Sequence, residues 1–294
     1  MLRPFDYYRP TSLEEACKLL NDIDDACILA GGTDLLVKIR DGKHVAPAVV
    51  DIKGVQELEG ISLDGDDLVI GALTTITDLL KWLDENPLPQ LELLREAGKV
   101  FGCQEIRHRA TVCGNIAHAS PGAEFGSPMY VLEATAVIHG PDGERTLPVA
   151  EFYKGPTWNA LEKGELLKAL RVPVPPKNAK SHYRRSSRIQ GMDLASMNVA
   201  LMVIEPEKES DRQVRIAMGA VWKVPLRATE VEEMLSRGPI TDEKLARAGQ
   251  KLSDSINPRA TSLRATPEYK KAMVAHITED GLRNLLGMTE EVAE

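Results

Sequence analysis

The stretch Ile28-Leu29-Ala30-Gly31-Gly32-Thr33-Asp34-Leu35 constrains this chain more than any other. A short apolar run, Cys27 to Ala30, breaks into two glycines followed by a threonine and an aspartate. That order describes a strand entering a tight turn whose backbone N–H groups face outward. Glycine carries no Cβ, so an anion can approach such a turn closely. Taken alone, strand–Gly-Gly turns are common and mostly structural. A second turn of similar make-up, Ala110-Thr111-Val112-Cys113-Gly114-Asn115-Ile116-Ala117, changes the reading. Two anion-friendly turns far apart in sequence suit a grip on one extended, phosphate-bearing cofactor.

The 294 residues suffice for two domains, and 43% hydrophobic content describes a globular chain. A net charge of -8 argues against a nucleic-acid binder. No apolar run reaches the roughly 20 residues that span a bilayer. The opening Met1-Leu2-Arg3-Pro4-Phe5-Asp6 has an acid and a proline where a secretion signal needs an apolar stretch, so a cytoplasmic location is expected. Four cysteines, Cys17, Cys27, Cys103 and Cys113, form no CxxC pair. His108 and His118 interleave with Cys103 and Cys113, which makes a metal site conceivable. Isolated cysteines in such a chain are more often small buried hydrophobes, and no metal is expected.

Ser12-Leu13-Glu14-Glu15 is a capping box, and Leu13, Ala16, Cys17 and Leu20 then line one helical face. With strands at 26–30 and 48–52, the first 55 or so residues read as a small β–α–β layer, Asp51 pointing out of its strand. A strand at 68–73 and helices at 74–83 and 91–101 follow. Strands at 134–139 and 145–149 flank Gly140-Pro141-Asp142-Gly143, a hairpin signal. Pro173-Val174-Pro175-Pro176-Lys177-Asn178 is the best boundary, being proline-rich and polar. Beyond it come strands at 181–188, 195–204 and 214–221. Helices at 228–236, 242–252 and 267–286 follow, the last with Thr266 as N-cap and Pro267 at its first position.

These motifs together resemble the flavin-binding medium subunit of the molybdenum hydroxylases, the group containing carbon monoxide dehydrogenase and xanthine dehydrogenase. The resemblance runs from Tyr8-Arg9-Pro10 and Ser12 to Ala16, through Ala30 to Leu35 and Ile70-Gly71-Ala72. It continues through Ile106-Arg107, Ala110-Thr111, Gly114 to Ala117, Ser120-Pro121 and Gly164-Glu165-Leu166, and more loosely to Tyr183 and Arg188. It implies an α+β chain. A two-subdomain, non-Rossmann, PCMH-type FAD-binding domain at 1–176 divides at about 56/57. A small C-terminal α+β domain at 177–294 holds a short antiparallel sheet and a helix bundle.

The resemblance also assigns residues. Ala30, Gly31, Gly32, Thr33, Asp34 and Leu35 wrap the pyrophosphate of noncovalently bound FAD, and Thr111, Gly114 and Asn115 form the facing turn. Phe101 stands where relatives set a residue against the adenine; by periodicity alone it equally closes the 91–101 helix as a core residue. Glu124 takes the place of an aspartate for the adenine-side ribose hydroxyls, with a solvated loop acid as the plain alternative. Leu167 aligns with an apolar residue near the flavin ring, though any strand leucine looks the same. Arg185 aligns with a lysine approaching that ring, and as a residue alone it reads equally as a surface charge.

Two departures stand out. Cys113 replaces a glycine of the usual motif; if its backbone needs φ > 0, the cost is about 1 kcal/mol or more. Glu124 is one methylene longer than the family's aspartate. Replacing Gly32 or Gly114 by Val is expected to remove FAD while largely keeping the fold.

The resemblance implies an oxidoreductase subunit that carries FAD and no side chain of its own in acid–base catalysis. Electrons arrive from an iron–sulfur small subunit and leave to an external acceptor, within a hetero-oligomer that includes a molybdenum-cofactor large subunit. The molybdenum cofactor and 2Fe-2S clusters then belong to those partners, because this chain lacks their cysteine sets. The rival readings are a self-sufficient FAD oxidoreductase and a scaffold that has lost FAD through Cys113 and Glu124.

Overall fold

A computed structural model describes residues 4–189, 191–262 and 264–288. Residues 1–3 of the opening hexapeptide lie outside them. The chain divides into two compact units, and the division is not sequential. The first unit holds the chain as far as Trp82, then Cys103–Ala119 and Glu133–Pro173. The second holds Leu83–Gly102, Ser120–Leu132 and the chain from Val174 onward.

The first unit opens with a three-stranded parallel sheet, Ala48–Asp51 lying between Asp6–Tyr8 and Cys27–Leu29. The Leu13–Asp22 helix joins the two outer strands. Ser12 Oγ accepts from Glu15 N–H at 3.2 Å, and the Glu15 carboxylate reaches back to Thr11 N–H at 2.9 Å. The cap thus satisfies donors that the helix leaves without partners. Leu13, Ala16, Cys17 and Leu20 are the buried face, as the spacing predicts.

Asp51 does not point out of its strand as expected. It is 4% exposed. It accepts from the Tyr7 hydroxyl at 2.5 Å and from Lys53 N–H at 3.1 Å, and the Lys53 ammonium lies 2.6 Å away. Burial on its own would raise its pKa; these donors outweigh that and hold it below the ordinary carboxylate range.

A five-stranded antiparallel sheet completes this unit, in the order Ile61–Asp64, Asp67–Gly71, Leu166–Pro173, Thr135–Gly140, Gly143–Pro148. The hairpin expected at Gly140–Gly143 closes the last two strands, with Gly143 at φ +104. The register slips between Leu167 and Ala169 in the central strand, the mark of a bulge.

The second unit is built on a four-stranded antiparallel sheet in sequence order, Lys180–Ser186, Met197–Ile204, Gln213–Gly219 and Leu226–Arg227. Every residue of Met197–Ile204 is buried, as expected of a central strand covered on both faces. Val199, Leu201, Ile216 and Met218 pack against Leu235, Leu245, Leu252, Val274 and Leu282 of the helices Thr229–Ser236, Asp242–Ser255 and Pro267–Leu286. The last helix starts at the expected cap, Thr266 Oγ1 accepting from Tyr269 N–H, and stops at Gly287 with φ +69. The Glu92–Val100 helix also packs on this sheet: Leu93 N–H donates to Ser181 Oγ at 3.1 Å, and Glu96 accepts from Tyr183 N–H. Among the described residues no helix is long and apolar enough to cross a membrane.

Candidate functional site

The first glycine turn leaves an outer strand of the parallel sheet and leads into a six-residue helix, Leu35–Arg40. Gly32 takes φ +74, which reverses the chain, and Leu36 N–H then donates to Gly32 O at 3.1 Å. The N–H groups of Gly31, Gly32, Thr33 and Asp34 have no protein acceptor among the described residues. All four residues remain partly or fully accessible. Accessible N–H groups in succession, with no Cβ on two of the residues, form a concavity for an anion.

The second turn has a different character. Thr111 caps a short helix, Val112–Ala117, its Oγ1 accepting from Gly114 N–H at 2.9 Å and its carbonyl from Asn115 N–H at 3.0 Å. Those two backbone donors are spent inside the protein. What this segment gives the first turn is a close backbone face: a Cβ on Gly31 would lie 2.0 Å from the Arg109 carbonyl oxygen and 3.0 Å from Ala110 Cα. The two glycine motifs are therefore in contact, as a pair gripping one ligand requires.

Geometry also revises the expectation for valine replacements. A Cβ on Gly32 meets Leu29 and Leu36, and one on Gly114 meets Thr111 Oγ1 at 2.6 Å. Each glycine is needed by the protein itself, so neither replacement separates cofactor loss from local misfolding.

Cys113 lies within the Val112–Ala117 helix and has no positive φ. Its side chain is buried, with Sγ donating to Ile70 O at 3.5 Å, and burial pushes the thiol pKa up. The strain expected from a non-glycine residue there does not arise, and the sulfur faces the core. Among the described residues Cys113 and His118 belong to no cluster of three or more metal-ligating side chains, and His118 lies against Lys38.

Three further residues stand near the first turn, and of these the sequence singles out His118 alone, as a conceivable metal ligand. Lys38 Nζ lies 2.8 Å from His118 Nε2, and Asp34 Oδ2 lies 3.6 Å from His118 Nδ1. Burial holds the imidazole below its ordinary pKa; Asp34 opposes the shift and Lys38 adds to it. A neutral imidazole accepts the Lys38 proton and ties the two turns together. Lys53 is the third, donating to Ala30 O at 3.2 Å while neutralising Asp51. Lys38 was findable as the residue four beyond Asp34, once Leu35–Arg40 is taken as a helix.

Leu167 is a buried residue of the central strand in this same unit. The remaining expected residues, Phe101, Glu124 and Arg185, belong to the second unit. Phe101, half-buried, tilts at 44° against Phe125 with ring centroids 6.1 Å apart. Glu124 and Arg185 meet in one ion pair of 3.0 Å. Arg185 also donates to Asp193 O and Gly191 O, each at 2.9 Å. Burial raises the Glu124 pKa, and Arg185 counters it. Neither the solvated acid nor the free surface charge is found. The pair occupies a single place, so these two side chains do not serve opposite ends of an extended dinucleotide in this arrangement.

Residues 3–175 match the family model described as the FAD binding domain in molybdopterin dehydrogenase. The chain belongs to that family. Residues 181–285 match the CO dehydrogenase flavoprotein C-terminal domain. The chain is 32% identical over 281 residues to the carbon monoxide dehydrogenase medium chain of Hydrogenophaga pseudoflava, covering 95% of this chain and 96% of that one. It is 30% identical over 278 residues to a putative xanthine dehydrogenase FAD-binding subunit of Escherichia coli, covering 93% of each. The solved carbon monoxide dehydrogenase of Hydrogenophaga pseudoflava matches with a TM-score of 0.90 at 31% identity, over 99% of this chain and 100% of that one. Quinoline 2-oxidoreductase from Pseudomonas putida 86 matches at 27% identity with a TM-score of 0.90, over 98% and 99%. The FAD-binding subunit is thus an oxidoreductase component, of mixed helix and sheet with an antiparallel C-terminal sheet. FAD is its cofactor. Its residues fit that group: the four accessible N–H groups of Gly31 to Asp34 offer the anion cradle a diphosphate needs.

Proposed function

We propose that this chain is the electron-transfer subunit of a cytoplasmic molybdenum hydroxylase complex. It takes electrons from a separate iron–sulfur small subunit and gives them to an external acceptor, while a large subunit holds the molybdenum cofactor. FAD, when bound, supplies the redox chemistry; the protein supplies binding, orientation and electrostatics. The observation carrying this reading is the run of unpartnered N–H groups from Gly31 to Asp34 inside a chain of this family. These groups hold the diphosphate. Leu35 and Ala30 fix the turn at its two ends, and Thr111, Gly114 and Asn115 brace it. Leu167 lies on the apolar side of the flavin. Phe101 offers a ring face to the adenine, and the Glu124–Arg185 pair offers either a ribose contact or a charge beside the flavin, not both. The scaffold reading rests on Cys113 and Glu124; it loses the first, since Cys113 has no positive φ and is buried, while Glu124 is paired with Arg185.

Heat-released flavin from the pure protein should have the mass of FAD; FMN, or flavin that stays attached, contradicts the cofactor assignment. In anaerobic stopped-flow, the substrate of the complex should bleach the flavin when all three subunits are mixed. Fast bleaching of the isolated chain by that substrate would sink the subunit reading.

A further inference from the structure

Lys38 stands one helical turn beyond Asp34, in the Leu35–Arg40 segment, and is half-buried. Side chains on a helix lean toward its N-terminus, so the lysine stem runs back toward the Gly31–Asp34 turn. One bond holds its ammonium, to His118 Nε2 at 2.8 Å. The imidazole comes from the other glycine motif: His118 ends the Val112–Ala117 helix, and its N–H donates to Gly114 O at 2.9 Å. Asp34 Oδ2 lies 3.6 Å from Nδ1, the ring's other nitrogen. That is too long for a hydrogen bond, but a carboxylate on that side favours the tautomer with its proton on Nδ1. Nε2 is then bare and accepts from the lysine. All of these residues belong to the first unit.

The ammonium is incompletely used. A neutral imidazole takes one of its three protons and cancels none of its charge. Among the described residues Lys38 has no other hydrogen-bond acceptor and no carboxylate in ion-pair contact, Asp34 included. The turn beside it is unsatisfied in the complementary sense. Its four unpartnered N–H groups offer partial charges only, whereas each phosphate of a dinucleotide carries a full negative charge. An ammonium with two protons still to give supplies the formal charge they lack. A loose lysine would have to be ordered as the ligand binds; His118 orders this one beforehand.

We propose that Lys38 is the cation of the diphosphate site, donating to a phosphate oxygen of the cofactor, and that His118, oriented by Asp34, is the residue that positions it. The inference rests on the reading of Gly31–Asp34 as the diphosphate turn and adds a charged side chain to it.

Dilution of the FAD-loaded full chain, followed by the rise in flavin fluorescence on release, gives the dissociation constant at low and at high salt. Lys38→Met keeps the length of the side chain and removes its charge. It should weaken FAD about tenfold or more at low salt, the loss of a charge-assisted contact. Its affinity should also depend less on salt than that of wild type, because a screened ion pair is gone. Lys38→Arg keeps the charge and should keep the salt dependence. His118→Phe frees the lysine and should weaken FAD less, about threefold. Wild-type affinity in Lys38→Met, or a loss that is the same at both salt concentrations, overturns the proposal and leaves the diphosphate turn standing. Unchanged affinity in His118→Phe removes the positioning role. Wild type that carries no FAD sinks the flavin reading and the proposal with it.

Discussion

Glu124 and Arg185 are each 7% exposed at the side chain and lie 3.0 Å apart, 61 residues apart in sequence. Removing one partner strands the other in a dry environment. Glu124→Ala should therefore cost on the order of 3 kcal/mol in urea denaturation. The pH dependence follows from burial, which raises the Glu124 pKa above its ordinary 4.5. The folded protein binds this proton more tightly than the unfolded chain does. Its contribution to stability is thus complete below about pH 4.5 and declines as pH rises through the folded pKa. Glu124→Gln cannot titrate. The stability of wild type should fall relative to that variant as pH rises from about 4.5 toward 7. Parallel curves for the two proteins would contradict the assignment.

Gly31 packs its Cα against the Arg109–Ala110 peptide. Gly31→Ala places a methyl group where a carbonyl oxygen already is, so the two turns must separate. A loss of about 2–4 kcal/mol is expected from such overpacking at a backbone contact. FAD affinity should fall with it, measured by flavin fluorescence on release. Wild-type stability in this variant would mean that the two turns are not held together here.

Cys113 should be the slowest cysteine to react, because its thiol is buried and its pKa pushed up. Cys103 is only half-buried. Brief alkylation of native protein, followed by peptide mass mapping, should label Cys103 well before Cys113. Cys113→Gly should cost about 1–3 kcal/mol by emptying a packed position inside a helix, with no gain in FAD affinity. Labelling of Cys113 as fast as Cys103 would show that the segment opens readily.

What the sequence discloses depends on how local the cause is. The Leu13–Asp22 helix declares itself because its cap and its apolar face are set by residues within ten positions. Thr266 and Pro267 announce the last helix in the same way. Val112–Ala117 reads as a turn, since six residues give too little periodicity to mark a helix. Asp51 is misread because the partner that draws it inward, Tyr7, lies on another strand. Gly31 against Arg109, Lys38 against His118 and Glu124 against Arg185 are contacts across long sequence separations, which no local pattern encodes. The glycine turn itself is local, and so are its free N–H groups.

The interleaving of the two units has a consequence for how the chain comes off the ribosome. The Glu92–Val100 helix is made early, yet the strand carrying Ser181 and Tyr183, its hydrogen-bond partners, emerges only after the first unit's sheet is complete. Until then Leu93, Leu94 and Ala97 have no sheet to cover them. A nascent chain stalled before Lys180 would present that apolar helix to the cell, as a handle for chaperones or a seed for aggregation. Cutting the gene at the proline-rich stretch would reproduce the same orphan, so neither half can be expected to survive expression alone.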